Sequence, residues 1–414
     1  MCDLQCEDAK GMRDELSSRD RLLLSIDCDE PDHVPLWNRG GIPYRYFIGS
    51  DVDVPWPNQF ERIRHSLKAG IDDVAYISPP KFLQRDVKIK ISKRHPPGER
   101  HPLLIKEYRT PKGVLSKIVR QTPDWPHGDD IPLISDHAAA SGRSVKDWVE
   151  KPEDLEVLSY LFRDPKEREI EEFAGKAEKI ERFAEEHEVL LVAHEVTYLG
   201  SAVMWLCGFI KGVTASIRRP EFLDRLLDII HEWNMMALRL LVDVCDLDLI
   251  VHYGWYDSTE FWSPRAYRRF IFPRMKEEVD FTHKNKVRFG YSMASGAMPL
   301  LETFKEMNID LLYGIDPVQG GYDMERAKRE IGDTVCLWGG VNGHVTLEHG
   351  GREEVRDAVR RAISTLAPGG GFILSSVGRI YSEVPTSNIR AMIEAWRELA
   401  DYPKSKPKIP NPAI

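Results

Sequence analysis

The feature that most constrains the fold is an alternation, sustained along most of the chain, between short apolar β-branched runs and long amphipathic stretches. Parallel strands joined by crossover helices read this way. A strand covered on both faces is apolar throughout, whereas the connecting helix buries a single stripe. The clearest runs are DLIVHY (248–253), VRFGYS (287–292), DLLYGI (310–315), VCLWGGV (335–341) and GFILSSV (371–377), each followed by a helical stretch. The helix after the first of these opens at Ser263-Pro264, an N-cap followed by the residue favoured in a first turn. Upstream, VLLVAHE (189–195) follows the charged helix EREIEEFAGKAEKIERFAEEH, while VPLWN (34–38) and DDVAYIS (72–78) flank the helical FERIRHSLKAG. The total is eight, the count at which a parallel sheet closes on itself. The predicted fold class is therefore α/β, a (β/α)8 TIM barrel.

Residues 84–150 break the rhythm. DVKIKISKR and LLIKEYRTPKGVLSKIVRQT alternate apolar and charged residues, and Pro111-Lys112-Gly113 has hairpin-turn chemistry. An antiparallel β insertion in the N-terminal third is expected here, a lid or edge over the barrel mouth without a core of its own. Barrels of this class use several hundred residues as one unit, so 1–414 is read as a single domain, with 1–20 a mobile N-terminus. The net charge of -9 is spread in both signs along the sequence, which argues against nucleic acid as a partner. No run approaches the roughly 18 apolar residues of a membrane helix and the N-terminus is charged, so a cytoplasmic protein with no membrane partner is expected. The six cysteines, Cys2, Cys6, Cys28, Cys207, Cys245 and Cys336, are scattered and read as free thiols of a reducing compartment.

In such barrels the chemistry lies at the C-terminal ends of the strands. Those ends carry Asn38 and Arg39, Ser78, His194 and Glu195, His252 through Asp257, Tyr291 and Ser292, Asp316, Asn342, and Ser375 with Ser376. The densest cluster is HYGWYDSTEFWSP (252–264), where Asp257 and Glu260 offer carboxylates for acid/base work. His252, Tyr256, Trp255 and Trp262 accompany them, and the aromatic rings either wall a substrate or pack the loop. His194-Glu195 reads as a ligand with its supporting acid or as a satisfied polar pair. Asp316, in YGIDPVQGGYD, holds substrate or orders its turn. Asn342 follows Gly339 and Gly340, where backbone can approach a ligand closely. Arg39 suits bidentate binding of a carboxylate or is a surface charge. The three glycines of APGGGFI precede a strand rather than follow one, which excludes a phosphate-binding turn.

Several segments in a specific order resemble the uroporphyrinogen decarboxylase superfamily, which holds the tetrapyrrole decarboxylase and cobalamin-linked methyltransferases. They are SPRAYRRFIFPRMKEEV (263–279), SGAMPLL through IDLLYGIDP (295–317), LWGGVN (337–342), GGREEVRDAVRRAI, and GGFILSSVG through VPTSNIRAM (370–392), with a weaker echo in SRDRLLLSI before PDHVPLW. The thiol-activating members bind zinc through a His-x-Cys pair and a late Cys. Here Met293-Ala294-Ser295-Gly296 and Gly378 stand at those places, so that zinc site is absent and no metal ligands are assigned. The tetrapyrrole decarboxylase features fail too: NRGGIPYR keeps only Arg39, the second strand ends Ser78-Pro79-Pro80, and VGRIYSEVP lacks the late His.

What remains resembles members that demethylate small methylated, especially methoxyaromatic, compounds by passing the methyl group to a separate corrinoid protein. The resemblance implies a small-molecule methyl donor, a corrinoid (cobalamin) supplied by a partner and no tightly bound cofactor; a homodimer is a candidate assembly. Asp257, Glu260, His252 and Tyr256 are the catalytic candidates. Asn38, Arg39, His194, Glu195, Trp255, Trp262, Tyr291, Asp316, Asn342 and Arg379 are the substrate-binding ones. The alternative is decarboxylation of a non-tetrapyrrole acid, with Arg39 and Arg379 holding the carboxylate.

Overall fold

The computed structural model describes residues 15–402 except 141. Parallel strands run β1 (Val74–Tyr76), β6 (Leu190–Tyr198), β7 (Leu249–Tyr253), β8 (Arg288–Ser292), β9 (Leu311–Ile315), β10 (Cys336–Asn342) and β11 (Phe372–Val377), and pair in that order in one seven-stranded sheet. The remaining strands, β2 (Lys88–Arg94), β3 (Leu103–Thr110), β4 (Gly113–Arg120) and β5 (Ser144–Lys146), form a separate antiparallel sheet. The fold is thus α/β, a curled parallel sheet with an antiparallel insertion.

Side chains sort by strand parity. Val74, Leu190, Val192, Leu249, Val251, Leu311, Tyr313, Cys336, Trp338 and Ile373 meet Trp37 in one buried cluster inside the curl. The alternate residues, such as Leu191, Ile250, Phe289, Leu312 and Leu337, join a second core with the surrounding helices. Trp37 and Trp338 stack at 3.9 Å between ring centroids in the middle of the inner cluster. Leu104, Leu115, Val119 and Trp148 of the insertion belong to the outer core, so the antiparallel sheet shares the main hydrophobic core.

The expected eighth strand is the main departure. Residues 34–38 contribute only an isolated parallel bridge, Leu36 to Leu374 of β11. Pro35 has no N–H to give to a ladder, so only its carbonyl takes part, accepting from Leu374 N at 2.9 Å. On the opposite side the contact is through a side chain: Leu36 N donates to Asp72 Oδ2 at 3.2 Å. Asp72 also receives the buried Arg21, which grips Asp32 at 2.7 Å, so a short helix closes the bottom of the curl. That helix spans Ser18–Ile26, with Ser17 accepting from Asp20 N as N-cap. The expectation of a mobile 1–20 therefore fails for its last residues, and 1–14 lie outside the described residues. Cys2 and Cys6 lie there as well; Cys28, Cys207, Cys245 and Cys336 are free thiols. Among the described residues no single helix is long and apolar enough to cross a membrane.

Candidate active site

A cavity of about 590 Å³ opens at the C-terminal ends of the parallel strands. Its walls come from the segments after β7 (Tyr253, Trp255, Tyr256, Glu260), β9 (Asp316), β10 (Asn342, His344, Glu348) and β11 (Arg379), joined by Arg39 and by Asp136 of the insertion. The volume suits a small ligand rather than a macrocycle enclosed whole.

Asp136 ties the insertion to the site. Its Oδ1 accepts from Tyr256 OH at 2.8 Å and from Trp205 Nε1 at 3.2 Å. The first residue of a short helix between β4 and β5 thereby fixes an aromatic wall more than a hundred residues away in sequence. Nothing in the local sequence around Asp136 marks it, because the contact is created by the fold.

Arg39 sits over the Trp255 ring, 5.7 Å from its centroid, and forms an ion pair with Glu195. Glu195 has φ +57°, left-handed backbone at a residue with a side chain, where the β6–β7 register slips between His194 and Tyr198. Such conformations cost about 1–3 kcal/mol and collect at working sites. Burial pushes the Glu195 carboxyl up against the opposing pull of Arg39. Burial, with Arg39 and Arg379 adding to it, holds His194 well below the ordinary imidazole value, so the ring is neutral. His194 Nε2 and Ser292 Oγ are buried polar atoms with no hydrogen-bond partner among the described residues. Neither His194 nor Ser292 lines the main cavity.

The structure separates the remaining candidates. Glu260 is exposed at the cavity rim. Asp257, His252, Tyr291 and Trp262 are fully or almost fully buried behind the cavity wall. Asp257 Oδ1 accepts from Ser201 N at 2.8 Å and Oδ2 from Tyr291 OH at 2.9 Å, while His252 Nε2 lies 3.4 Å from Oδ2. Trp262 Nε1 donates to Tyr256 O at 2.8 Å. The expectation of Asp257 and His252 as groups facing substrate is corrected accordingly: they hold the 252–264 loop, as do Trp262 and Tyr291. Asp257→Asn is expected to lower stability by about 1–3 kcal/mol, measured by urea unfolding, because its amide cannot accept from every donor now satisfied.

Behind Asp257 lies Glu278, completely buried and absent from the sequence candidates. It accepts from Asn234 Nδ2 at 2.8 Å and meets His252 Nδ1 at 3.1 Å and His231 Nδ1 at 3.2 Å. Burial disfavours the charged imidazole of His252, yet Glu278 and Asp257 outweigh it and raise it to about 9. Burial likewise opposes ionisation of Glu278, and the facing His252 and His231 hold it down at about 2. A sequence signal existed: Met275, Glu278, Val279 and Thr282 form one i, i+3, i+4, i+7 stripe, and an acid on a buried stripe needs a partner.

Other candidates take structural places. Asn38 Oδ1 accepts from Ser375 Oγ, Ser376 N and Ser376 Oγ at 2.7–3.1 Å, pinning residues 34–38 to β11 rather than facing the cavity. Asp316 and Asn342 both line the cavity but are joined to each other at 2.7 Å, and Asp316 Oδ1 accepts from Val318 N and Gln319 N. Gly339 and Gly340 serve packing instead of ligand approach: a Cβ on Gly339 would stand 2.7 Å from Ile315 N, and one on Gly340 2.7 Å from Ala362 Cβ. Ser78 faces a different cavity, between the end of β1 and the helix Glu167–Glu186. Arg379 is exposed and lines the main cavity together with Arg39.

Residues 180–399 match the family model for uroporphyrinogen decarboxylase (URO-D). Uroporphyrinogen decarboxylase of Alkalilimnicola ehrlichii is 25% identical over 186 residues, 44% of this chain and 48% of that one, so the chain spans about half the length of the curated relative it matches. In three dimensions a methyltransferase from Methanosarcina mazei aligns over 93% of this chain and 99% of its own, at 17% identity and a TM-score of 0.55, a likeness of fold. With more than half of its residues matched, the chain belongs to the URO-D family.

Proposed function

We propose that this protein is a methyltransferase on a (β/α)8-type barrel, which holds a small methylated aromatic compound while its methyl group passes to a corrinoid carried by a partner protein. The observation that carries the reading is the composition of one cavity: the rings of Tyr253, Trp255 and Tyr256, a rim carboxylate at Glu260 and a guanidinium at Arg39. An aromatic slot grips a flat donor by its faces. Arg39, held by Glu195, is placed to meet negative charge developing on the oxygen that loses its methyl group. That oxygen keeps the electron pair of the broken bond and takes up a proton drawn from solvent and relayed by Glu260, the cavity carboxyl group on the aromatic loop. When bound, the corrinoid supplies the nucleophile. The cavity's volume suits the small donor rather than a corrin enclosed whole.

The test is transfer of a labelled methyl group from a panel of methoxyaromatics and methylamines to a reduced corrinoid protein. Transfer from at least one donor is expected, with Glu260→Gln slowing it by about 10²-fold or more. No transfer from any donor, together with release of carbon dioxide from a carboxylic acid, would favour the second reading, a decarboxylase. That reading rests on Arg39 and Arg379 lining the same cavity as a cationic clamp.

A further inference from the structure

We propose that His344, Glu348 and His349 form a divalent metal site on the rim of the main cavity, of a kind that takes Zn²⁺ and leaves coordination positions open toward the bound ligand. The three side chains stand close. His344 Nδ1 is 2.9 Å from Glu348 Oε2, His349 Nδ1 is 3.3 Å from Glu348 Oε1, and one ligand atom from each lies within 4.8 Å of the others. Tetrahedral zinc with bonds of about 2.0–2.1 Å spaces its ligand atoms by about 3.4 Å, so small side-chain rotations close the set.

The backbone accounts for the convergence. Residues Gly343–Glu348 form a π-helix rather than an α-helix. On an α-helix, positions five apart differ by about 140° around the axis, and His344 and His349 would diverge. The wider turn brings their rings to 4.6 Å between centroids. Such turns are rare and occur frequently at functional sites. This one is pinned at both ends. Asn342 Oδ1 accepts from Val345 N and Thr346 N, and Asn388 Nδ2 donates to Leu347 O and Gly350 O at 3.0 and 2.8 Å.

Two imidazoles and one carboxylate are the donor set of open, three-ligand zinc sites, in which the remaining position takes water or substrate oxygen. Both imidazoles are 59% exposed, so no buried partner competes for them, and His344 and Glu348 line the cavity. The ligand class recognised by the open position is an oxygen donor, a phenolate or carboxylate on the cavity compound. The family zinc motif puts its ligands after β8 and β11, where Met293-Ala294-Ser295 and Gly378 stand in this chain, whereas this set lies one turn beyond β10.

The site is tested on tag-free full-length protein stripped with a chelator, titrated with Zn²⁺ by calorimetry and with Co²⁺ by visible absorption, without substrate. Wild type is expected to bind one equivalent that the H344A/H349A double variant loses, and E348A is expected to weaken binding at least tenfold. Unchanged Tm and circular dichroism of the stripped variants establish that they fold. If the double variant does not fold, E348A alone decides. Equal binding by wild type and variants, or no saturable binding by wild type, overturns the proposal. Because no substrate or corrinoid enters the titration, failure of the methyl-transfer reading leaves this result standing.

Discussion

Glu278→Ala is expected to destabilise the protein by about 3–5 kcal/mol, the cost of removing one partner from a buried charge pair and leaving the other uncompensated. His252 would lose its main counter-charge, and Asn234 Nδ2 and His231 Nδ1 would lose an acceptor in the same place. Denaturant unfolding of the two proteins at one pH measures the difference. Its pH dependence gives a second check. The raised imidazole of His252 contributes stability that is full below pH 6.5 and is lost as pH rises through about 9. The depressed carboxyl of Glu278 contributes stability present above pH 4.5 and lost as pH falls through about 2. The gap between wild type and Glu278→Ala should therefore be widest near pH 5–6 and narrow steadily toward pH 9. A gap of less than about 1 kcal/mol, or one that widens with pH, would show that the pair does not carry the loop.

Trp338→Ala is expected to cost a similar amount, about 3–5 kcal/mol, for a different reason. The indole is fully buried, stacks on Trp37, lies 4.2 Å from the Tyr313 centroid and donates to Trp37 O at 2.7 Å. Its removal empties the middle of the inner core beneath the cavity. A void of that shape, walled by the rings of Trp37 and Tyr313 with the Trp37 carbonyl left free to accept an indole N–H, accepts an aromatic guest. Added indole should therefore raise the Tm of Trp338→Ala and not that of wild type. Absence of rescue would mean that the neighbouring rings collapse into the space.

The parallel strands from β6 to β11 were legible because each is a buried run of β-branched and aromatic residues bounded by polar ends, a pattern that local sequence carries by itself. Residues 34–38 read as an equal strand, yet Pro35 and a side-chain link to Asp72 reduce them to a bridge, since pairing depends on which donors survive next to a neighbour. The site was legible at the level of loops and less so at the level of roles. Trp255, Tyr256 and Glu260 were placed at the cavity by position after β7. Asp257, three residues from Glu260 on the same loop, turns inward to Ser201 and Tyr291, and no periodicity distinguishes the two in an irregular segment. Asp136, Glu278 and the His344–Glu348–His349 set depend on partners or backbone geometry that appear only after folding.

The link from Asp136 to Tyr256 and Trp205 means that one wall of the cavity is assembled from two distant stretches of chain, the loop after β7 and the antiparallel insertion. Changes in the segment around Asp136 would move the aromatic wall while leaving the strands of the parallel sheet in place. Differences in ligand choice among relatives of this architecture are therefore expected to track the insertion more closely than the parallel sheet.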